Sequence, residues 1–387
     1  MGYHFSILFP FVSMILHSTR VTGHTARSTA LTLLLQGLLV FKQASLSGMG
    51  RGVAIIYEQQ SCRGHLKKAH RLMKNTKIDT WETGAALFAH MTQDLTQVCL
   101  AVDWTALGAF RVLEACLVVE GRGIPFYSIF IHKDDLKHRQ TLVELTMWYA
   151  LIAMRQAGQT LLVVVDRGFA KFDWVGASPL YPFMHLLLRL KRTTLLTWGS
   201  IRGALHEWPL YAGEVVEITE AALGQDGQVV TAVGLAHLRG TREPLYVACH
   251  PDDCPRAVAV YKQRPAVEQQ NRDLKSNFLL RKLHLKNAAR LERMWLIVGI
   301  AFYISYCNET AHETAFVERM SWRYKDGRHD LSWLNRAKCA EVCGEVAVIF
   351  APIRSQYWER ASSDTCQAGD VRLRIATPYV SAGTCTV

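Results

Sequence analysis

Residues 261–275 read YKQRPAVEQQNRDLK, and the reading of the whole chain turns on the spacing inside that stretch. Tyr261, Arg264, Glu268 and Lys275 are separated by two, three and six residues. Arg264, Glu268 and Lys275 therefore share one face of a helix, and Pro265 suits its first turn, where a missing N–H is tolerated. Carboxylates between cations on a solvated helix form i, i+4 ion pairs as a matter of course. What stands upstream points this one to chemistry.

Two apolar runs precede it, each closed by an aspartate. Val98, Cys99, Leu100, Ala101 and Val102 end on Asp103; Leu161, Leu162, Val163, Val164 and Val165 end on Asp166. Short, β-branched and free of charge, such runs predict strands buried on both faces of a sheet. A carboxylate at their carboxyl end lies where open α/β sheets carry ligands. Asp166, Arg167 and Gly168 also read as a turn. Between the aspartates, residues 110–119 and 124–131 are joined by Glu120, Gly121, Arg122 and Gly123, a hairpin signal, so three consecutive antiparallel strands are predicted. Residues 139–156 follow with an apolar stripe of helical period, stopped by Gly158.

The spacing of Tyr261, Arg264, Glu268 and Lys275 resembles the signature of DDE transposases of the insertion-sequence-four group. The resemblance implies an α/β fold with a ribonuclease H-like mixed sheet flanked by helices. In it Asp103, Asp166 and Glu268 are the catalytic, metal-binding triad. Three carboxylates brought within ~4 Å repel by about 4 kcal/mol per pair at an effective dielectric of ~20, so cations must share them. All-oxygen ligation favours Mg²⁺, with Mn²⁺ able to substitute. Two such ions activate a water or a 3′-hydroxyl and stabilise the leaving oxygen. The resemblance assigns Arg264 and Lys275 to phosphates beside the scissile bond and Tyr261 to a hydroxyl contact nearby, with Arg272 among the DNA-binding residues.

The same resemblance organises the rest of the chain. The interval from Asp166 to Glu268 is longer than one strand and two helices require. Residues 194–198, 214–218, 229–238 and 244–248 read as strands, with Gly224, Gln225, Asp226 and Gly227 as a hairpin turn. A β-rich insertion over 191–257 is thus expected, interrupting a core formed by 93–190 and 258–310. In several family members the insertion helps to hold a flipped base. Trp198 and Trp208 are candidates for such stacking, with ordinary core packing as the alternative. The implied activity is cut-and-paste transposition: cleavage at transposon ends, then joining of the freed 3′-hydroxyl to target DNA. The implied partners are the terminal inverted repeats, target DNA and a second copy of the chain. A nuclease of the same fold, or a non-catalytic DNA-binding repressor derived from a transposase, stays open as an alternative.

Composition agrees. A chain of 387 residues with 44 Lys and Arg against 33 Asp and Glu carries +11, an attraction for phosphate polymers. Half of the residues are hydrophobic, which excludes a disordered chain and allows two or three domains. Residues 1–92 read as helical and basic, an expected DNA-binding region: 28–42 as an amphipathic stretch, 45–50 as a turn, and 65–77 crowded with Lys67, Lys68, Arg71, Lys74 and Lys77. Lys275, Arg281, Lys282, Lys286, Arg290 and Arg293, mixed with leucines at helical spacing, read as the DNA-facing side of the helix carrying Glu268 and of its successor. Residues 5–16 have neither the basic flank nor the cleavage pattern of a signal peptide, and 294–306 are too short to span a bilayer, so a cytoplasmic, nucleoid-associated protein is expected. Cys249, His250 and Cys254, and Cys339 with Cys343, complete no zinc pattern. Residues 311–387 carry no catalytic pattern, and from Ser362 they read as a loose tail.

Overall fold

In the sequence TARSTALTLLLQGLLVF apolar side chains occupy almost every face, so helix α1 (Thr25–Phe41) is buried on most sides: Leu31, Leu34, Leu35, Leu38 and Leu39 are each no more than 5% exposed. An amphipathic helix was expected there, and the structure corrects it. The expected turn at 45–50 is likewise a helix. Ser45 caps α2 (Leu46–Ile56), its side chain accepting the Gly48 N–H at 3.0 Å. Helices α3 (Arg63–Lys74) and α4 (Thr80–Thr92) follow, the latter capped by Asp79, which accepts from Trp81 N at 2.7 Å and Glu82 N at 3.0 Å. The computed structural model describes residues 25–57, 59, 61–119, 121–169, 174, 180–225, 227, 229–262, 264–280, 283, 285–311 and 373–375. The expectations for residues 5–16, Arg281, Lys282, Cys339, Cys343 and most of 311–387 lie outside the described residues.

The chain divides into two compact units. One comprises Met1–Leu95, Asp103–Ala157 and Ala266–Arg354. Here the later half of β1 (Gln97–Leu107) neighbours β2 (Phe110–Val119), which pairs antiparallel with β3 (Arg122–His132) as the hairpin signal predicts. Helix α5 (Lys133–Met154) packs on β2 and β3, burying Val143, Met147, Trp148 and Leu151, and ends four residues before Gly158, which takes φ +81°. Helix α7 (Pro265–Asn277) starts at the predicted proline. Helix α8 (Ala288–Ala311) lies against β3, and its stretch 294–306 is the buried helix expected from its length.

The other unit comprises Thr96–Val102, Gly158–Pro265 and Ser355–Val387. Its sheet runs β1-β4-β5-β10-β9-β8-β6-β7. The first half of β1, β4 (Thr160–Val165) and β5 (Met184–Arg189) are parallel, and their apolar residues are buried on both faces. From β5 onward each pairing is antiparallel: β6 (Leu195–Trp198), β7 (Ile201–Ala204), β8 (Val215–Leu223), β9 (Val229–Ala236) and β10 (Leu245–Cys249). A short β11 (Leu373–Ile375) adds to β8 in parallel, and α6 (Cys254–Tyr261) packs on β8, β9 and β10. The protein is therefore α/β, with a mixed, largely antiparallel sheet and flanking helices. Among the described residues no single helix is long and apolar enough to cross a membrane.

Candidate active site

Asp166 leaves β4 for a single 3₁₀ turn, Arg167–Phe169, closed by the Phe169 N–H on the Asp166 carbonyl at 3.0 Å. Val165, just before it, is the register partner of Val102 on β1, and each of these valines hands the chain directly to an aspartate. The Asp166 carboxylate is 28% exposed. Its Oδ1 accepts the Tyr261 hydroxyl at 3.2 Å, and its Oδ2 stands 3.7 Å from Nη2 of Arg264. Both partners come from one corner: α6 ends at Tyr261, Pro265 opens α7, and the Arg264 N–H closes the bend on the Tyr261 carbonyl at 3.0 Å. Burial first, then the Asp166 charge, pushes the Tyr261 hydroxyl well above its ordinary pKa, so it remains a donor. Tyr261 and Arg264, read as DNA contacts, are thus buried side chains bracketing a carboxylate.

In the other unit, Glu268 occupies the first turn of α7 and Lys275 the last, the ends at which the helix dipole favours their charges. Glu268 and Arg272 are exposed. Val267, Gln270, Asn271 and Leu274 form the buried face of the helix at i, i+3, i+4, i+7 spacing. The Lys275 ammonium donates to Thr105 Oγ1. Thr105 stands two residues beyond Asp103 on β1, so the signature lysine reaches the strand of the first aspartate, on the face that Asp103 presents. Asp103 is half-buried and inside β1, which runs on to Leu107; the expectation that the strand stops there is corrected.

These carboxylates suit a hard divalent cation. Each offers oxygen only, none is fully buried, and Asp166 keeps acceptor capacity after Tyr261 and Arg264, since an ionised carboxylate has about four lone-pair sites.

Behind α7 lies an acid that the sequence reading passed over. Glu114, in the middle of β2, is 0% exposed, and its Oε1 accepts both from Gln270 Nε2 at 3.3 Å and from Trp295 Nε1 of α8. Cys116 donates its thiol to Gln270 Oε1 at 3.2 Å. Burial drives the Glu114 carboxyl up, against the two hydrogen bonds and with help from the Asp103 charge, to about 7. A lone acid inside an otherwise apolar strand run was the available signal. Glu144 on α5 is similar: 3% exposed, it accepts from Trp104 Nε1 at 3.0 Å and Gln140 Nε2 at 2.8 Å. Arg293, read as DNA-facing, is instead 9% exposed and donates to the Met73 carbonyl at 3.0 Å and the Ile78 carbonyl at 3.3 Å. It ties α8 to the end of α3.

Two further groups stand in the strand-rich unit. Trp198, at the end of β6, and Trp208 have ring centroids 6.5 Å apart at 52°, and both are half-exposed. They pack on each other and keep part of their faces open. His185, His250 and Asp253 bring ligand atoms within 4.8 Å of one another. Nitrogen-rich ligation of this kind suits a transition metal rather than Mg²⁺. Its arrangement is that of an ion-paired network: His185 Nδ1 is 2.6 Å from Asp253 Oδ2, Arg256 Nε donates to Asp253 Oδ1 at 3.0 Å, and the two imidazoles stack at 4.2 Å and 13°. Stacked rings aim their lone pairs side by side instead of at a common point. Burial raises the Asp253 carboxyl, but the His185 and Arg256 hydrogen bonds outweigh it and hold the group below its ordinary pKa. His185 was not singled out from the sequence, because a histidine within MHLLLR carries no spacing signal. Cys249 and Cys254 are buried free thiols. Compared with models of known protein families and with curated proteins, the chain matches none.

Proposed function

We propose that this chain is a DDE-type DNA transposase with a ribonuclease H-like core, cleaving at the ends of a mobile element and joining the freed 3′-hydroxyl to target DNA. One observation carries the reading. Two of the four signature residues, Tyr261 and Arg264, meet the Asp166 carboxylate across some ninety-five positions of chain. Nothing in a solvated charged helix requires that meeting, whereas a signature that belongs to the site of that aspartate does. The approach of Lys275 to Thr105, on the strand of Asp103, adds to it. So does the element order: strand, strand and strand, then a helix, then a strand parallel to the first.

In this reading Asp103, Asp166 and Glu268 would hold two Mg²⁺ ions, which would supply activation of the oxygen nucleophile and stabilisation of the leaving 3′-oxygen. The chain's own groups do the rest. Tyr261 and Arg264 orient the Asp166 carboxylate, and Lys275 and Arg272 offer cations to the phosphates flanking the scissile bond. The half-exposed Trp198 and Trp208 offer faces on which an unstacked base can rest.

The test uses a duplex carrying the DNA that flanks the gene, with the full chain and Mg²⁺. The wild type cuts at the repeat end and yields a strand-transfer product. Asp103→Ala, Asp166→Ala and Glu268→Ala each abolish both reactions while end binding persists. Any of these variants cutting at the wild-type rate removes that residue from the site; cutting without joining in the wild type turns the reading to a nuclease.

A further inference from the structure

The buried polar joint behind α7 has more structure than packing needs. Gln270 sits at the centre of the buried face of the helix and is 2% exposed. Its amide is used at both ends, donating to Glu114 and accepting from Cys116, two residues apart on β2. Glu114 in turn accepts from Trp295, so β2, α7 and α8 meet at one carboxyl oxygen. A leucine at position 270 would fill the space and leave the helix free to slide or turn against its neighbours. A two-ended amide opposes both motions, because its donor and its acceptor are each held by a partner on β2. Successive residues of a helix are about 100° apart, so a small rotation of α7 would carry Glu268, two positions before Gln270, and Lys275, five beyond it, away from where they now stand.

We infer that Glu114 is a positioning residue of the proposed active site, acting through Gln270 to set the rotation of α7 and so the presentation of Glu268 and Lys275. The inference rests on the transposase reading for its purpose, though not for its geometry. It assigns Glu114 no contact with metal or DNA.

Three full-length variants test it: Glu114→Gln, which keeps the oxygen that Gln270 and Trp295 address; Glu114→Leu, which removes it at similar volume; and Gln270→Leu, which breaks the joint from the helix side should Glu114→Leu fail to fold. Two readouts are taken, amide hydrogen exchange along the chain and binding of Mn²⁺ alone, followed by electron paramagnetic resonance. The leucine variants exchange about tenfold or more faster across 265–277 than the wild type, with α3 unchanged. They also bind Mn²⁺ about tenfold or more weakly, whereas Glu114→Gln stays near the wild type in both. Wild-type exchange across 265–277 in the leucine variants overturns the inference, as does loosening spread evenly through the unit, which would make Glu114 ordinary core. A wild type that binds no Mn²⁺ while 265–277 still loosens selectively sinks the metal-dependent reading and leaves the positioning role standing.

Discussion

The Glu114 carboxyl, fully buried on a strand whose neighbours Val112, Leu113, Ala115 and Leu117 are buried too, is held at about 7, well above the ordinary 4.5 or so, and that displacement has a consequence for stability. Between those two values the folded chain binds more protons at Glu114 than the unfolded chain does. Stability therefore falls as pH rises through the window, and the penalty is complete above about 7. From the displacement it amounts to something on the order of 3 kcal/mol. Glu114→Gln, which cannot ionise, should melt with the wild type at about pH 4, below both values, and be the more stable of the two at pH 8. Equal melting at both pH values would show that the group does not titrate in that window. The place of Asp166 at the end of a strand was legible because the apolar run 161–165 precedes it, and the start of α7 because Pro265 opens it. Glu114, Glu144 and Arg293 were not, because a single buried ionisable residue leaves no periodic trace. Their roles come from partners far along the chain, such as Trp104 for Glu144 and Met73 for Arg293.

Among the elements, α1 and α2 show how close contact overrides local preference. Residues 45–50 were read as a turn, yet LSGMGRGVAII (46–56) forms α2 with Gly48, Gly50 and Gly52 buried, although glycine is a poor helix former. The reason lies across the crossing. A Cβ on Gly37 of α1 would stand 2.2 Å from the Met49 carbonyl oxygen, and one on Gly52 2.0 Å from that of Gly37. The two backbones touch, and only glycine permits it. Gly37→Ala and Gly52→Ala should each lower stability by about 1–3 kcal/mol in urea unfolding, the usual range for overpacking. Gly64→Ala on α3, where an added Cβ meets nothing within 4 Å, should leave stability unchanged or raise it by up to about 1 kcal/mol. If all three behave alike, the crossing is not under steric control. The strands that alternate or run apolar, β2, β4, β9 and β10, were readable from their patterns. The four-residue β7, IRGA, was not: its register is supplied by β6, and its residues Ile201 and Arg202 face solvent.

For the molecule as a whole, the surplus of +11 matters through where the cations stand. On α3 and just past it, Lys67, Lys68, Arg71, Lys74 and Lys77 are all exposed, while His65, Ala69, Leu72 and Met73 face inward, so the helix separates its charge cleanly from its packing. Arg293 belongs to the same charge count but spends its guanidinium on the carbonyls at the end of this helix. The two kinds of cation should therefore part company in a DNA-binding titration. Each exposed cation that neutralises a phosphate releases counterions, and its loss shallows the plot of log K against log salt by about 0.9. Lys67→Ala with Lys68→Ala should thus weaken binding to any duplex and reduce the slope by nearly two units, with melting unchanged. Arg293→Ala should leave the slope alone and lower stability, because two buried carbonyls lose their charged donor at a cost of about 1–3 kcal/mol. A slope that ignores the lysine pair would mean that α3 does not meet the nucleic acid and that the basic surplus acts from elsewhere on the surface.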